Sequence, residues 1–494
     1  MDLSLILGMA ADGFPDRVAI GSSDSGLTFA ALHARVERLA AALPAGRPVV
    51  YVGPHGEHAA TLLFAASAAG SPFAPVNGRL PREQVVELVR RLDPALVVCT
   101  PDLETALNST APVVITTARL DDLEHVDVPA SEPSDVAVLL YTSGTTAAPK
   151  AAVLTHENLL AYVMETLDFG SAGDDECLLL AVPPFHVAGI AAVLSNAYLG
   201  RRVVALPAFD PTAWLQAVRD QSVTHAFVVP TMLARIVAAL RDNPTLAGQS
   251  LRTLSYGGAR TPGPVLEEAL ALFPDVQFVN AYGLTETSST IAVLGPEDHR
   301  PDPTDPVAVG RLASVGQVVS SVEVDIIDEA GRPVSTGRSG RVRMRGAQVG
   351  GSYLGTGSTL DREGWLVTGD LGHLDDDGYL FLEGRADDVV IRGGENISAA
   401  EVEDALLRCD GVAQAAVVGV PDEEWGERLA AAVVARDGVS LEPDALRARV
   451  RELLGSLKTP DQVVLREDLP LTATGKVLKR VLRDELVASL QPTT

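Results

Sequence analysis

The sequence predicts an α/β protein built from more than one domain, and three features of the chain support this prediction. Its 494 residues exceed the roughly 250 to 300 at which a single hydrophobic core usually stops growing. In the first two thirds, short valine-rich runs alternate with stretches of helical period, as in layered α/β folds. From about residue 320, alternating runs between turn residues indicate hairpins, and a smaller α+β unit follows.

Several elements can be assigned from their local composition. Buried strands are predicted where β-branched residues cluster, at VVYV (49–52), LVVC (96–99) and FVVP (227–230). Helices are predicted where apolar residues recur every three or four positions, at 27–44, 81–92, 400–408 and 444–454. The last two helices belong to the smaller unit.

The segment from Cys177 to Gly200 contains no Asp, Glu, Lys or Arg, so its hydropathy imitates a membrane span. Proline and glycine residues interrupt it at Pro183, Pro184 and Gly189. We therefore predict a buried core segment made of a short strand, a turn and the start of a helix.

Composition excludes several functional classes. Hydrophobic residues make up 47% and charged residues 21%, which argues against wholesale disorder. A formal net charge of −26 disfavours nonspecific binding to nucleic acid or to an anionic membrane, because both are polyanions. An anionic substrate such as ATP must then be held by a few local cations and backbone amides.

The three cysteines, Cys99, Cys177 and Cys409, are far apart and in no CxxC spacing, so neither a disulfide framework nor a thiolate zinc site is indicated. His55 and His58 have the spacing of zinc ligands, but no further ligand cluster lies nearby in the sequence. The amino terminus lacks the features of a secretory signal. We expect a cytoplasmic protein with buried thiols.

The segment LLYTSGTTAAPKAAVLTH (139–156) runs from an apolar strand into a loop of small and hydroxyl residues with one lysine. Such a loop can wrap a polyphosphate with backbone N–H groups and hydroxyls, while Lys150 adds a positive charge. It is not a Walker loop, because Lys150 is not preceded by glycine or followed by Ser or Thr. On this segment alone, a polar surface loop is an equally good interpretation.

Further segments decide between these alternatives, because together with this loop they resemble the motifs of the adenylate-forming superfamily, which includes acyl-CoA synthetases, firefly luciferase and peptide synthetase adenylation domains. They occur in order between about residues 140 and 476: VPPFHVAG, SYGGA, NAYGLTETS, GWLVTGDLG, LEGRADDVVIRGGENIS and LTATGKVLKR. The match is closest to fatty-acyl or medium-chain acyl-CoA synthetases. It implies ATP, Mg²⁺ and coenzyme A as cofactors.

The resemblance also implies the fold. A large multi-layer N-terminal domain, residues 1–386, would have buried β-sheets flanked by helices plus a β-barrel-like subdomain. A small mobile α+β C-terminal domain, residues 387–494, would rotate about Asp387 as a hinge. Rotation would replace Lys476 at the reaction centre by the Gly393 and Gly394 stretch, which would line a pantetheine tunnel.

Roles at the nucleotide follow from the same resemblance. Tyr282 would stack on adenine, Thr285 would bond the α-phosphate, and Glu286 would hold Mg²⁺. Asp370 and Arg385 would contact the ribose hydroxyls. The other residues expected to bind the nucleotide are Thr142, Ser143, Gly144, Thr145, Thr146, Lys150, Gly257, Gly258, Ala259, Asn280, Ala281 and Gly283.

Catalysis would depend on Lys476, which reaches the reacting carboxylate in the family, together with Thr285, Glu286 and His186. The loop departs from the family pattern, because Ala147 and Ala151 stand where glycine is usual. If either position requires a positive φ, alanine costs about 1 kcal/mol or more.

The expected substrate is a fatty or other hydrophobic carboxylic acid, with an aryl acid as the alternative. Its pocket is predicted to be lined by His186, Val187, Ala188, Ile190, Met232 and Gly258, which are mostly apolar. In peptide synthetase adenylation domains an Asp follows the Phe of this motif, whereas His186 follows Phe185 here, so an α-amino acid is disfavoured. The acceptor is coenzyme A, or alternatively a separate carrier protein. A noncatalytic nucleotide-binding relative is the remaining alternative.

Overall fold

A computed structural model describes the chain except for residues 130, 143–148, 244–249, 394, 423, 437, 472–476 and 491–494, and gives the backbone alone at 242, 387, 396, 489 and 490. The strands are β1 Val18–Ile20, β2 Leu27–Thr28, β3 Val49–Val52, β4 Phe73–Pro75, β5 Leu96–Cys99, β6 Val113–Thr116, β7 Val136–Thr142, β8 Lys150–Thr155, β9 Cys177–Leu180, β10 Arg202–Ala205, β11 His225–Val228, β12 Thr253–Gly257, β13 Gln277–Leu284, β14 Ser289–Leu294, β15 Gln317–Val318, β16 Val322–Ile327, β17 Gly340–Gly346, β18 Ser352–Tyr353, β19 Thr356–Ser358, β20 Leu366–Leu374, β21 Leu380–Arg385, β22 Val390–Arg392, β23 Glu395–Ile397, β24 Val412–Asp422, β25 Gly426–Ala435 and β26 Gln462–Arg466.

The α-helices are α1 Ser4–Gly13, α2 Phe29–Ala42, α3 Glu57–Ala68, α4 Arg82–Arg91, α5 Glu104–Leu107, α6 His156–Thr166, α7 Val187–Leu199, α8 Pro211–Asp220, α9 Pro230–Asp242, α10 Gly263–Leu272, α11 Pro306–Arg311, α12 Ala399–Leu407, α13 Pro443–Leu454 and α14 Lys479–Leu490. Within the described residues, none of these helices has both the length and the apolar character needed to span a bilayer.

The described strands of the N-terminal region form three sheets. The first has the order β15-β14-β13-β12-β11-β9-β10-β1-β2, and the second has the order β19-β18-β8-β7-β4-β3-β5-β6. Strands β9 to β13 pair in parallel, as expected for α/β layers whose sheets are covered by helices on both faces. The hairpins predicted after residue 320 form the third sheet, an antiparallel sheet with the order β16-β17-β20-β21.

The core lies between the first two sheets and the helices that pack on them. Helices α3 and α7 contribute Leu62, Phe64, Ile190 and Leu194, each at most 1% exposed. A second core cluster on the other face of the first sheet surrounds Trp214 of α8. The segment with the hydropathy of a membrane span is therefore a core segment, made of β9, a turn and α7, as predicted.

The small unit is α+β. Strands β22, β23, β24, β25 and β26 form its sheet, in which β24 pairs with β25 over ten residue pairs from Val412 to Asp422. Helices α12 and α13 cover one face through a core that includes Val402 and Val450. All three cysteines of the chain are buried free thiols, as expected.

Local chemistry explains where strand β8 gives way to helix α6. Thr155 Oγ1 accepts a hydrogen bond from the Asn158 backbone N–H at 3.1 Å, and Asn158 Oδ1 accepts one from the Thr155 N–H at 3.2 Å. This reciprocal cap satisfies two N–H groups that the first turn of the helix leaves unpaired. The cap bears on the candidate site because it fixes one end of β8, and Lys150 begins the other end.

Candidate active site

The candidate site lies at the carboxyl edge of the first sheet, where β9, β11, β12 and β13 are parallel neighbours. Each of these strands is followed closely along the chain by a residue predicted from the sequence: His186, Met232, Gly258 and Thr285 respectively. Ligands of open α/β sheets bind at this edge. Residues separated by up to 99 positions in the sequence are thereby brought to one side of one sheet.

Tyr282, Asp370 and Arg385 form a connected group at this edge. The Tyr282 hydroxyl donates to Asp370 Oδ2 at 2.5 Å, and Arg385 Nε lies 3.3 Å from Asp370 Oδ1. Asp370 and Arg385 face each other across the β20–β21 pair, which fixes their spacing. The structure therefore joins the predicted adenine-stacking residue to both predicted ribose contacts.

The ionisation of this group favours an uncharged tyrosine. Burial of Tyr282, together with the adjacent Asp370 carboxylate, raises the pKa of its hydroxyl well above the usual value, although Arg385 opposes the shift. Asp370 is 8% exposed, so its carboxylate is shielded from water on most sides. The arrangement keeps a proton on Tyr282 and an acceptor on Asp370.

Glycines at the ends of β12 and β13 allow close backbone approach. A Cβ atom on Gly257 would lie 2.1 Å from the Ala281 carbonyl oxygen, which shows that the two strands leave no room for a side chain there. Gly258 has φ +83°, a conformation that other residues rarely adopt. Ala259 follows with an exposed side chain, while Asn280 and Gly283 lie in β13.

Glu286 lies in a short 3₁₀ turn, Thr285–Thr287, that follows β13. Two non-glycine residues with positive φ come next, Ser288 at 57° and Ser289 at 125°. The buried Gln348 holds this turn, because its Nε2 donates to the Thr287 carbonyl oxygen at 3.0 Å. Such conformations persist only where the surroundings enforce them, and they concentrate at functional sites.

Tyr353 links this turn to Lys150 at the start of β8, and the sequence motifs do not include this tyrosine. Its hydroxyl donates a short hydrogen bond to Glu286 Oε1. Lys150 Nζ lies 5.8 Å from the centroid of its ring. Thr142, opposite Lys150 in the β7–β8 pair, ends the strand that leads into the loop. A lone tyrosine in the Gly- and Ser-rich run GGSYLGTGS was the only signal in the sequence.

Several predicted residues lie outside the described part of the chain: Ser143, Gly144, Thr145, Thr146, Ala147, Gly394 and Lys476. Ala151 is described, and the condition for a strain cost is not met there. It lies in β8, is 4% exposed and does not have a positive φ. The cost expected from alanine replacing glycine does not arise at Ala151, because strand backbone suits alanine.

The predicted acyl wall is divided between two cores. Ile190 is 1% exposed inside the first core, with Val187 and Ala188 packed against it, while Met232 packs against the second core from α9. His186 is the residue before α7, and its Nε2 is buried without a hydrogen-bond partner among the described residues. Burial lowers the His186 pKa to about 4, so the ring is neutral near pH 7.

The predicted hinge and tunnel residues lie where the chain passes from the third sheet into the small unit. Asp387 belongs to a short 3₁₀ turn, Ala386–Asp388, directly after β21. Gly393 has φ +60°, and its N–H donates to the Trp425 carbonyl oxygen at 2.9 Å. A Cβ atom on Gly393 would lie 2.9 Å from the Trp425 ring, so a larger residue there would displace the ring. Rotation about Asp387 stays a prediction.

Comparison with protein-family models identifies the chain. Residues 8–354 match the AMP-binding enzyme model, and residues 401–476 match the AMP-binding enzyme C-terminal domain. The chain belongs to the AMP-binding enzyme family. Recognition from the sequence motifs is confirmed, and so is the α/β fold with a large N-terminal and a small C-terminal part.

Curated relatives cover nearly the whole chain. A feruloyl-CoA synthase from an Amycolatopsis species is 36% identical over 485 residues, which are 95% of this chain and 96% of the relative. The fatty acid–[acyl-carrier-protein] ligase ScoC from Streptomyces coeruleorubidus is 33% identical over 486 residues, 93% and 91% of the two chains. ATP-bound MatB from Rhodopseudomonas palustris has a TM-score of 0.85 at 26% identity, covering 99% of this chain and 100% of that one.

This AMP-binding enzyme is an ATP-dependent acid–thiol ligase that works through an acyl-AMP, as predicted from the sequence. No group of three or more His, Cys, Asp and Glu side chains that could hold a metal occurs in the described ranges. A single carboxylate such as Glu286 nevertheless suits Mg²⁺, which usually takes one or two carboxylates plus substrate phosphates.

Proposed function

We propose that this AMP-binding enzyme activates a hydrophobic carboxylic acid with ATP and transfers the acyl group to coenzyme A. The observation that carries the proposal is the meeting of two groups at one sheet edge. One is the linked set Tyr282, Asp370 and Arg385, suited to a nucleoside, and the other follows β9 and β11, with His186 and Met232. A nucleotide and an acid bound there would be neighbours.

In the first half-reaction, a carboxylate oxygen attacks the α-phosphorus of ATP and pyrophosphate leaves. The carboxylate is already ionised, so no general base is required. Holding it in line with the phosphorus supplies much of the acceleration. Asp370 would accept hydrogen bonds from the ribose hydroxyls, with Arg385 beside it, and Thr285 would donate to the α-phosphate.

Lys476 would offset the repulsion between the two anions, since a unit-charge contact at about 4 Å is worth roughly 4 kcal/mol at an effective dielectric of 20. Mg²⁺ bound by Glu286 would supply charge to the leaving pyrophosphate. In the second half-reaction, the thiol sulfur attacks the acyl carbon and AMP leaves. Rotation of the small unit about Asp387 would bring Gly393 to the site for this step.

The hydrophobic acid is supported by the chemistry of His186 and by the apolar side chains that follow β9 and β11. A neutral His186 cannot form an ion pair with a second carboxylate, which disfavours dicarboxylic acids. Val187 and Ala188 of α7 and Met232 of α9 supply partly buried apolar surface after these two strands. An aryl acid is the second candidate, and the 36% identity to a feruloyl-CoA synthase favours it.

Coenzyme A is favoured over a carrier protein by the surroundings of Gly393. Trp425, 40% exposed, lies against this glycine, and aromatic surfaces of this kind stack on nucleotide bases. Arg392 lies beside the same ring, with its guanidinium carbon 5.6 Å from the ring centroid. The carrier-protein alternative rests on the relative ScoC.

A pyrophosphate-release screen tests the proposal. Fatty acids of graded length, cinnamic-type aryl acids and short dicarboxylic acids are each supplied with ATP and Mg²⁺, alone, with coenzyme A, or with a phosphopantetheinylated carrier protein. We expect about one equivalent of pyrophosphate per enzyme with a hydrophobic acid alone, and multiple turnovers once coenzyme A is added. Turnover only with the carrier protein would replace the acceptor, and no release with any acid would contradict the function.

A further inference from the structure

The backbone at Tyr353 and at the next residue is held against strand β8. It pairs with Ala152 across β18 and β8, and the N–H of the next residue, Leu354, donates to the Ala151 carbonyl oxygen at 2.8 Å. A tyrosine side chain has only two rotatable bonds before its ring, so a fixed backbone gives the hydroxyl a narrow range of positions. That hydroxyl is directed at Glu286 Oε1.

Glu286 is held by the same short segment at two points. The Gly350 N–H donates to the Glu286 carbonyl oxygen at 2.8 Å, and Tyr353 donates to its carboxylate. Residues 350–353 therefore set both where the Glu286 backbone lies and which way its side chain turns. A free glutamate side chain would lose rotamer entropy on binding a metal, and the tyrosine removes part of that loss beforehand.

The Tyr353 side chain also contacts two groups of opposite charge. Lys150 Nζ is 5.8 Å from the Tyr353 ring centroid, within the range of a cation–π contact. In the described part of the chain, neither Lys150 nor Glu286 forms a salt bridge. A direct Lys150–Glu286 ion pair would neutralise both groups, whereas the contact of each group with Tyr353 leaves the ammonium and one carboxylate oxygen available to a polyphosphate and its cation.

We propose that Tyr353 is a positioning residue, which orients Glu286 for the divalent cation of the nucleotide and keeps Lys150 apart from it. This inference rests on the proposed function, because it assumes that Glu286 meets a metal–nucleotide complex. Partners that orient a metal-binding carboxylate typically contribute 10- to 100-fold to metal affinity.

Binding of Mn²⁺ together with α,β-methylene-ATP, measured by electron paramagnetic resonance, tests the role of Tyr353 without turnover. The substitution Tyr353→Phe keeps the ring and its contact with Lys150 but removes the hydroxyl. Tyr353→Phe should weaken Mn²⁺ binding about 10- to 100-fold. The matched control is Tyr379→Phe, which removes an equivalent hydrogen bond, from the Tyr379 hydroxyl to Asp298 Oδ1 at 2.9 Å, outside the site. The control should bind Mn²⁺ like the wild type.

A double-mutant cycle with Glu286→Gln separates positioning from a general structural effect. If Tyr353 acts through Glu286, Tyr353→Phe should change the residual Mn²⁺ affinity of Glu286→Gln less than about 2-fold, because coupled residues are not additive. Equal losses in both backgrounds, or a Tyr353→Phe enzyme with wild-type affinity, would overturn the proposal. Thermal unfolding of each variant verifies that it is folded.

Turnover distinguishes this inference from the proposed function. Tyr353→Phe should raise the Mg²⁺ concentration needed for half-maximal pyrophosphate release about 10- to 100-fold and recover most of kcat at saturating Mg²⁺. Wild-type enzyme that binds Mn²⁺ and nucleotide but releases no pyrophosphate with any acid contradicts the proposed function alone. If the wild type is active and Tyr353→Phe leaves the Mg²⁺ requirement unchanged, only the proposed role of Tyr353 is contradicted.

Discussion

Arg260, which directly follows the predicted nucleotide-binding residue Ala259, forms a two-pronged ion pair with Asp404 on helix α12 of the small unit. Arg260 Nη1 donates to Asp404 Oδ1 at 2.9 Å, and Nη2 donates to Oδ2. A second pair has the opposite polarity, with Arg408, which directly follows α12, donating to Glu267 of α10 at 2.6 Å. These pairs join the two matched family regions in this arrangement of the chain.

Breaking these pairs should shift the balance of the two half-reactions. Exposed ion pairs contribute about 0.2–1 kcal/mol each, so Arg260→Glu with Arg408→Glu should change the ratio of acyl-AMP formation to thioester formation about 2- to 30-fold. One half-reaction should gain relative to the other, because the small unit has to leave this position for one of them in the proposed cycle. The effect should fade at high salt. The two steps are measured separately, by pyrophosphate exchange and by consumption of supplied acyl-AMP.

Charge restoration and a remote pair supply the controls. Adding Asp404→Arg and Glu267→Arg to the double variant should return the ratio toward wild type. Asp328→Asn, which breaks the exposed pair with Arg332 within one hairpin, should leave the ratio unchanged. A ratio that stays constant in every variant would remove these pairs as determinants of domain position.

Asp370→Asn should weaken ATP binding more than it lowers the rate at which the bound complex reacts. Asparagine keeps the shape but loses the charge that strengthens hydrogen bonds to ribose hydroxyls and the ion pair with Arg385. One or two such bonds, at about 1.5–3 kcal/mol each, correspond to a 10- to 100-fold or larger rise in the KM for ATP. Asp325→Asn breaks a comparable pair with Arg343 in the same sheet and should leave this KM within 2-fold of wild type. An unchanged KM for Asp370→Asn would exclude it as the ribose contact.

Lys476→Ala should separate the two half-reactions. We expect adenylation to fall roughly 10²- to 10³-fold, the usual effect of losing one contact to transition-state charge, while thioester formation from supplied acyl-AMP is spared. Lys476 lies outside the described residues, so the prediction rests on the motif LTATGKVLKR. Lys479→Ala is a suitable control, because Lys479 pairs with Glu403 inside the small unit. Equal loss in both steps would contradict the two-conformation cycle.

Local sequence patterns predicted many of the strands and helices, but few of the contacts between them. The valine-rich runs at 49–52 and 96–99 are β3 and β5, and the periodic stretch at 81–92 is α4 at Arg82–Arg91. The predicted helix at 27–44 is shorter, because Leu27 and Thr28 form β2 before α2 begins at Phe29. Such patterns arise from burial and therefore report on single elements.

Long-range register explains what the patterns missed. Tyr353 reaches Glu286 only because β18 pairs with β8, which lies about 200 residues earlier in the chain. Likewise, Arg260 and Asp404 are 144 residues apart. Neither contact leaves a periodic trace in the sequence, because each depends on how separate elements pack. The link between Tyr282 and Asp370 was anticipated only as two separate ribose and adenine contacts.

Ala151→Gly should destabilise the protein without improving its use of ATP. Ala151 lies in strand β8 without a positive φ, so glycine there only adds backbone freedom to the unfolded chain. We expect about 0.5–1 kcal/mol lower free energy of unfolding, measured by urea denaturation, and an unchanged KM for ATP. Ala152→Gly, at an equally buried position of the same strand, should show a similar loss of stability. A lower KM in Ala151→Gly would show that alanine restrains the phosphate loop.

His55 should make the fold less stable in mild acid. It is 6% exposed, and neither ring nitrogen has a well-formed hydrogen bond among the described residues. Burial lowers the His55 pKa to about 4, with the nearby Gly189 backbone offsetting only part of the effect. The unfolded chain, with a histidine pKa near 6.5, therefore binds more protons than the folded chain between about pH 6.5 and 4, and stability falls as the pH falls through this window.

Replacing His55 with Leu should remove this part of the pH dependence. Each pH unit below the unfolded pKa costs about 1.36 kcal/mol. The contribution of His55 to the free energy of unfolding should therefore decrease by about 2 kcal/mol between pH 7 and pH 5. Urea denaturation at both pH values gives the difference for wild type, His55→Leu and the surface control His125→Gln. The difference should shrink by about that amount in His55→Leu and stay unchanged in the control. Comparing each variant with itself at two pH values cancels any change in packing caused by leucine. A His55→Leu protein with the full wild-type loss at pH 5 would show that His55 takes up a proton without unfolding, and that its environment near Gly189 opens to water.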